Sequence, residues 1–362
     1  MSRFLVVYSK NKELKVTKTY AEKSAAILTA ADPEWLALHS EEILEPDLPI
    51  VDPHHHLWDL PRKPRYLQEE FAADLLSGHN ITATIFAECT EGYRTDGPER
   101  FRLIGETEFV AAFAEEAANG PVGDRGVCKA IIGRADLLEG ASVEEVLQAH
   151  VEAGRGRFRG VRQSTVYDKT GTVRTTARDF PPEVLLDPTF RQGFEKLIAF
   201  DMTFDSWIYH PQLGELADLA RTYPESKIIL DHVGGPIGAG AYEGKRDEVF
   251  AVWKKGIEEL AACPNVSCKL GGLGMKFAGF GFDTLARPAS SEVLAEAWGP
   301  YIKTCIEAFG VDRCMFESNF PVDMVTCTYP VVWNAFKRIA AGCSAEEKKA
   351  LFSGTATRVY SL

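Results

Sequence analysis

The chain has 362 residues, of which 45% are hydrophobic and 25% charged, with a formal charge of −12. That composition is ordinary for a globular protein able to bury a large core. The acidic balance argues against nucleic acid or an anionic membrane as partner, although it leaves room for a local basic pocket.

The opening run Phe4-Leu5-Val6-Val7 is too short for the core of a secretory signal, and no later run is long and apolar enough to span a bilayer. Eight cysteines, at 89, 128, 263, 268, 305, 314, 327 and 343, form no CxxC pair. They read as reduced core residues of a cytoplasmic protein, not as a disulfide framework or zinc ribbon. Residues 1–48 carry no strand–helix repeat and read as an extension packing outside the main fold. Within it, Asp32 and Pro33 mark a helix start as N-cap and first helical residue.

Eight short apolar or β-branched runs follow, starting with Ile50-Val51-Asp52-Pro53-His54-His55-His56. The others are 81–89, 127–133, 158–163, 202–209, 227–232, 265–270 and 313–318. Helical patterns occupy 104–118, 143–153, 189–200, 213–222, 248–262 and 292–309. Continuous apolar strands suit a parallel sheet buried on both faces. Eight βα repeats over residues 49–362 predict a (β/α)8 TIM barrel, with an open doubly wound sheet as the alternative.

In such a barrel the chemistry lies at the C-terminal strand ends. Those positions hold His54, His56, Glu88, Arg134 or Asp136, Arg162, His210, His232, Lys269, Glu317, Asn319 and Asp323. Simple alternation along the first strand places Asp52, His54 and His56 on one face and His55 on the other. Two imidazoles so spaced can hold one metal ion or one oxyanion, with Glu88 as a further donor. Arg162 offers a fork for a carboxylate. His210 reaches the mouth only if the chain bends near Pro211. His79 and His150, in a turn and a helix, read as bystanders. Three long loops could form the rim: 90–105 with Tyr93 and Arg94 as substrate contacts, 168–182 with Arg174 and Arg178, and the glycine- and phenylalanine-rich 271–291, which has the composition of a lid. The glycines at 234, 235, 238 and 240 lack a GK[ST] or GxGxxG context and do not read as a phosphate loop.

The segments Asp52-Pro53-His54-His55-His56-Leu57-Trp58-Asp59, Gly160-Val161-Arg162, Asp231-His232-Val233-Gly234-Gly235-Pro236 and Met315-Phe316-Glu317-Ser318-Asn319-Phe320-Pro321-Val322 occur in that order. Together they resemble the amidohydrolase superfamily, and within it the amidohydrolase 2 branch of sugar and pyrone lactonases. The resemblance implies a barrel hydrolase opening a small, often carboxylated lactone, with His54 and His56 as the first-strand pair and His232 as the sixth-strand histidine. It implies one divalent metal (zinc or manganese) in some members and none in others. Metal-assisted decarboxylation and a catalytically silent, metabolite-binding barrel are the alternative functions.

One departure is chemical. Relatives read Gly-Ser-Asp-x-Pro where this chain reads Glu317-Ser318-Asn319-Phe320-Pro321. Asn319 can offer a carbonyl oxygen but cannot take a proton near neutral pH. Water activation then falls to Asp323 or Glu317, with Asp323 preferred because it lies beyond the strand end. Arg162 is expected to bind the acid group of a small anionic substrate, with His210, Asn319, Tyr93 and Arg94 lining its pocket. A homodimer is the base-rate expectation.

Overall fold

The computed structural model describes residues 32–60, 64–123, 125–176 and 179–362. The remainder of the N-terminal segment and Arg178 lie outside the described residues. Eight parallel strands run in sequence order: β1 (Ile50–His55), β2 (Ile81–Ala87), β3 (Ala130–Gly133), β4 (Phe158–Ser164), β5 (Thr203–Trp207), β6 (Lys227–Leu230), β7 (Val266–Leu270) and β8 (Cys314–Phe316). The sheet closes on itself just past β8, where Asn319 N–H donates to His54 O (3.0 Å) and His56 N–H to Phe320 O (2.7 Å). This is a (β/α)8 barrel.

Helices follow the strands where the apolar period changes from two to 3.6. Leu213–Thr222, for example, buries Leu213, Leu216, Ala217, Leu219 and Ala220 along one face. Asp187 and Ser290 cap the helices Pro188–Ala199 and Ser291–Phe309, accepting first-turn backbone N–H groups. Asp32 does the same for the short helix Pro33–Leu36. From there the described extension lies against the helix Tyr329–Ile339, where Lys337 donates to Leu44 O (2.7 Å) and Glu45 O (2.8 Å). The structure adds helices absent from the sequence reading, among them Gln68–Leu75 between β1 and β2 and Tyr329–Ile339 after β8. No described helix is long and apolar enough to cross a membrane.

Two apolar cores result. The larger lies between the strands and the helical ring. The smaller fills the lower barrel with Val51, Ala83, Ile85, Ala130, Ile132, Ile229 and Met315, closed from below by Ala356 and Tyr360. Above that layer the barrel interior turns polar.

Candidate active site

β1 does not alternate simply. Asp52 pairs with Thr84 and His55 with Phe86, so three steps on β1 match two on β2. The extra residue is a bulge, and a bulge reverses the side-chain phase. Asp52 and His55 therefore point out of the barrel while His54 points in. This corrects the expected sharing of one face by Asp52, His54 and His56.

Asp52 clasps the seam between β1 and β8. It accepts from Ser318 N (3.0 Å), Ser318 Oγ (2.6 Å), Tyr329 OH (3.0 Å) and His54 N (3.3 Å). Burial raises its pKa to about 6 against the pull of these donors. His55 stacks on Phe71 outside the barrel, 4.3 Å between ring centroids.

Inside, His54 is the hub. Arg162 Nη1 lies 2.7 Å from its Nε2, and because a guanidinium only donates, Nε2 accepts. Its Nδ1 faces Glu317 Oε2 at 3.0 Å and Lys269 Nζ at 3.1 Å. Burial, then the charges of Lys269, His232 and Arg162, holds the His54 pKa well below the usual imidazole value. The ring is thus neutral, and its Nδ1 edge faces the Glu317 carboxylate. Glu317 Oε1 also accepts from His232 Nδ1 (2.7 Å) and His232 N (3.1 Å), so one carboxylate orients both imidazoles. His56 donates from Nδ1 to Ala87 O (2.8 Å), which leaves Nε2 as its lone-pair nitrogen.

Beneath this layer Lys269, fully buried, lies 2.6 Å from Asp205 and 3.1 Å from Asp231. Burial alone would raise the Asp231 pKa, but Lys269, His232 and Arg162 hold it below the ordinary range. Asp323, beyond β8, accepts from Asn319 Nδ2 (2.8 Å) and Gly274 N (3.0 Å). Burial pushes its pKa to about 7, opposed chiefly by His232.

The backbone near His232 is unusual. His232, Val233, Gly234 and Gly235 all have positive φ, from 48° to 72°. Left-handed backbone at two non-glycine residues costs roughly 1–2 kcal/mol each, and such strain clusters at functional sites. The segment after β7 explains the space this turn needs. A Cβ at Gly272 would lie 2.5 Å from His232 Cγ, one at Gly271 2.5 Å from Glu317 Cγ, and one at Gly274 2.8 Å from Asp323 Cγ. Three glycines let the chain pass directly against three site residues. The 271–291 segment, expected as a lid, is stitched in place by Gly238 N to Phe277 O (2.8 Å) and Thr326 Oγ1 to Gly274 O (2.9 Å). Its Phe277 joins Trp207 and Tyr209 in an aromatic wall, with Trp207 edge-on to His232 at 4.7 Å. Behind Tyr209 lies a cavity of about 190 Å³ walled by Val166, Tyr167, Asp168, Val173 and Thr175.

Several expected contacts go elsewhere. Glu88 binds Arg162 Nε (3.1 Å) and is not a donor in the histidine cluster. His210 turns into the wall, its ring edge-on to Tyr242 and its Nδ1 accepting from Ile237 N (3.3 Å), because the backbone enters a 3-10 turn at His210 instead of bending inward. Arg94 pairs with Glu108 on the exposed face of the following helix. Tyr93 is half-buried beside it in the same loop. Arg174 pairs with Asp179 (2.6 Å). His79 and His150 hold structural bonds, to Lys337 and Thr107 (2.8 Å each).

Among the described residues, the donors close enough to share a metal are His54, His232 and Glu317, with one atom from each within 4.8 Å of the others. Glu317 Oε2 and both Asp231 oxygens take no well-directed hydrogen bond although they are buried. Four carboxylates (Glu88, Asp205, Asp231, Glu317) face two cations, Arg162 and Lys269. Imidazole and carboxylate donors suit zinc. The residues fit a metal.

A profile described as Amidohydrolase matches residues 51–362. The chain belongs to the amidohydrolase family. It is an enzyme of hydrolase type. This amidohydrolase is 33% identical over 336 residues to the uncharacterized protein y4mH of Sinorhizobium fredii, covering 87% of this chain and 99% of that one. It is 32% identical over 287 residues to an L-fucono-1,5-lactonase of Burkholderia ambifaria, covering 75% and 80% respectively. A zinc-bound crystal structure of an amidohydrolase from Burkholderia multivorans superposes with a TM-score of 0.64 at 25% identity, covering 86% of this chain and 99% of that one.

Proposed function

We propose that this amidohydrolase is a lactonase that opens a small hydroxylated lactone by attack of water on the ring carbonyl. The observation that carries the reading is the meeting of His54, His232 and Glu317 with Asp323, a carboxyl group whose pKa of about 7 suits proton transfer near neutrality. The similarity to L-fucono-1,5-lactonase supports the substrate class. Asp323 takes a proton from water as the new C–O bond forms, then returns it to the ring oxygen as the old C–O bond breaks. The products are a free acid and an alcohol on one chain. Arg162 fixes His54, while Glu317 orients the two imidazoles toward the carbonyl end. A divalent metal bound by His54, His232 and Glu317 would supply Lewis acidity to the carbonyl, and the zinc-bound relative makes zinc the first candidate.

The charge expected of the substrate needs revision. Arg162 already binds Glu88 and His54, and Asp231 lies 3.9 Å from its Nη1. A guanidinium so occupied is a poor receptor for a substrate carboxylate, and the remaining charges of the site are mostly negative. The reading therefore favours a neutral sugar lactone, whose C–H face suits the wall of Trp207, Tyr209 and Phe277.

The test is acid release from a panel pairing neutral aldonolactones with carboxylated pyrones, with added zinc and with chelator. Turnover of the neutral set is expected. Preference for the carboxylated set would restore Arg162 as an anion receptor. No ring opening from pH 6 to 9, with carbon dioxide released from aromatic acids, would replace the proposal with decarboxylation.

A further inference from the structure

We propose that Tyr360, the third-last residue of the sequence, is a positioning residue for the active site, acting through Asp205 and Lys269. Tyr360 follows the helix Thr355–Val359 into the floor of the barrel, where it is fully buried against the lower apolar layer. Its backbone carbonyl accepts from Arg159 Nε (3.0 Å) at the start of β4. Its hydroxyl points upward and donates to Asp205 Oδ2 (2.7 Å). The same oxygen accepts from Lys269 Nζ (2.6 Å), and Thr203 Oγ1 reaches Asp205 Oδ1 at 3.3 Å. Lys269 Nζ in turn lies 3.1 Å from both Asp231 Oδ1 and His54 Nδ1.

A phenylalanine would fill the floor equally well. A buried hydroxyl costs free energy unless it is bonded, and this one is bonded to the carboxylate that holds the site's central ammonium. Lysine is a point charge on a flexible stem with no geometry of its own. The position of Nζ under His54 is therefore set by its carboxylates, and that of Asp205 by Tyr360 and Thr203. Chains of buried hydrogen bonds act as units, so loss of the lowest link is felt at the top. Without the tyrosine hydroxyl, Asp205 can rotate with Lys269. The ammonium then leaves its place between Asp231 and His54, and His54 loses its alignment with Glu317.

The kinetic test rests on the lactonase reading and compares Tyr360→Phe with Val359→Ala, which loosens the same floor without touching the hydrogen bonds. Tyr360→Phe should lower kcat about tenfold with little change in KM and a melting temperature within a few degrees of wild type. Val359→Ala should lower the melting temperature and leave kcat unchanged. A kcat for Tyr360→Phe within twofold of an active wild type, or an equal loss of kcat in Val359→Ala, would overturn the proposal. If wild type opens no lactone, the lactonase reading fails by itself. The side-chain 15N resonances of His54, identified by their absence in His54→Asn, then decide. Displacement in Tyr360→Phe supports the link, and unchanged resonances overturn it.

Discussion

Replacing Gly272 with alanine tests whether the close passage of the chain behind His232 sets the geometry of the site. The new Cβ would lie 2.5 Å from His232 Cγ and 2.6 Å from its Cβ. Non-bonded carbons settle at about 3.5–4.0 Å, so the imidazole must retreat by about 1 Å. Its 2.7 Å bond to Glu317 Oε1 then passes beyond hydrogen-bond range. A misplacement of that size can cost about 10²-fold in rate. Gly272 also has φ of +69°, so alanine adds roughly 1–2 kcal/mol of backbone strain whatever the space. Gly244→Ala separates the two effects, because Gly244 has φ of +74° and a Cβ there would meet nothing within 4 Å. Both variants should melt a few degrees lower in a thermal scan. Only Gly272→Ala should lose kcat/KM for lactone by about 10²-fold. Equal activity of the two variants per folded molecule would refute the steric argument.

Further outcomes follow from the same geometry. Glu317→Gln should lower the divalent metal retained per chain by elemental analysis, and full retention would remove Glu317 from the ligand set. Asp323 must be ionised to act as base, so log kcat/KM should rise with pH to a midpoint near 7, and Asp323→Asn should abolish that limb and cost about 10²-fold or more. The stability sign is opposite. A carboxyl whose folded pKa is raised to about 7 from 3.8 binds its proton more tightly when folded, so its contribution is full below pH 4 and is lost as pH rises through 7. Asp323→Asn should flatten that decline in denaturation midpoints, and an unchanged pH slope would count against the raised value. Asp52→Ala should cost about 3 kcal/mol or more in urea unfolding, since it strands three buried donors on Ser318 and Tyr329, with Asp52→Asn much milder. A loss under about 1 kcal/mol in Asp52→Ala would show that the seam does not depend on the clasp.

The barrel is legible in the sequence because each βα unit carries its own local signal. The helices Ile104–Ala118 and Leu213–Thr222 fall where their long apolar faces place them. The helix Gln68–Leu75 is not legible, since its apolar face is short and Leu67 offers no side-chain cap. The His54, His232 and Glu317 positions are visible as polar residues at the ends of apolar runs. Their mutual arrangement is not, because it depends on the bulge at Pro53 and the left-handed turn at His232, and neither has a periodic signature. The bulge accounts for one difference in full: strict alternation ties Asp52 to His54, and a single extra residue puts them on opposite sides of the wall.

The other differences share a physical origin in competition between charges. Position at the strand ends points Glu88 and Arg162 each toward the substrate, but a buried carboxylate just past β2 and a buried guanidinium on β4 are far more stable together than apart. Arg94, exposed, finds Glu108 on the next helix. Lys269 is visible as a strand-end cation, yet its role depends on Asp205 and Asp231 from two other strands and on Tyr360 from below. Composition alone cannot show which acid neutralises which base once the strands are side by side. The glycines at 271, 272 and 274 make the same point for shape. Read along the chain they suggest a loop free to move, whereas in the fold they are small because Glu317, His232 and Asp323 already occupy the space where side chains would go. The strands thus bring the reactive groups to one mouth, while the bulge, the left-handed turn and the buried charge network determine how those groups face one another.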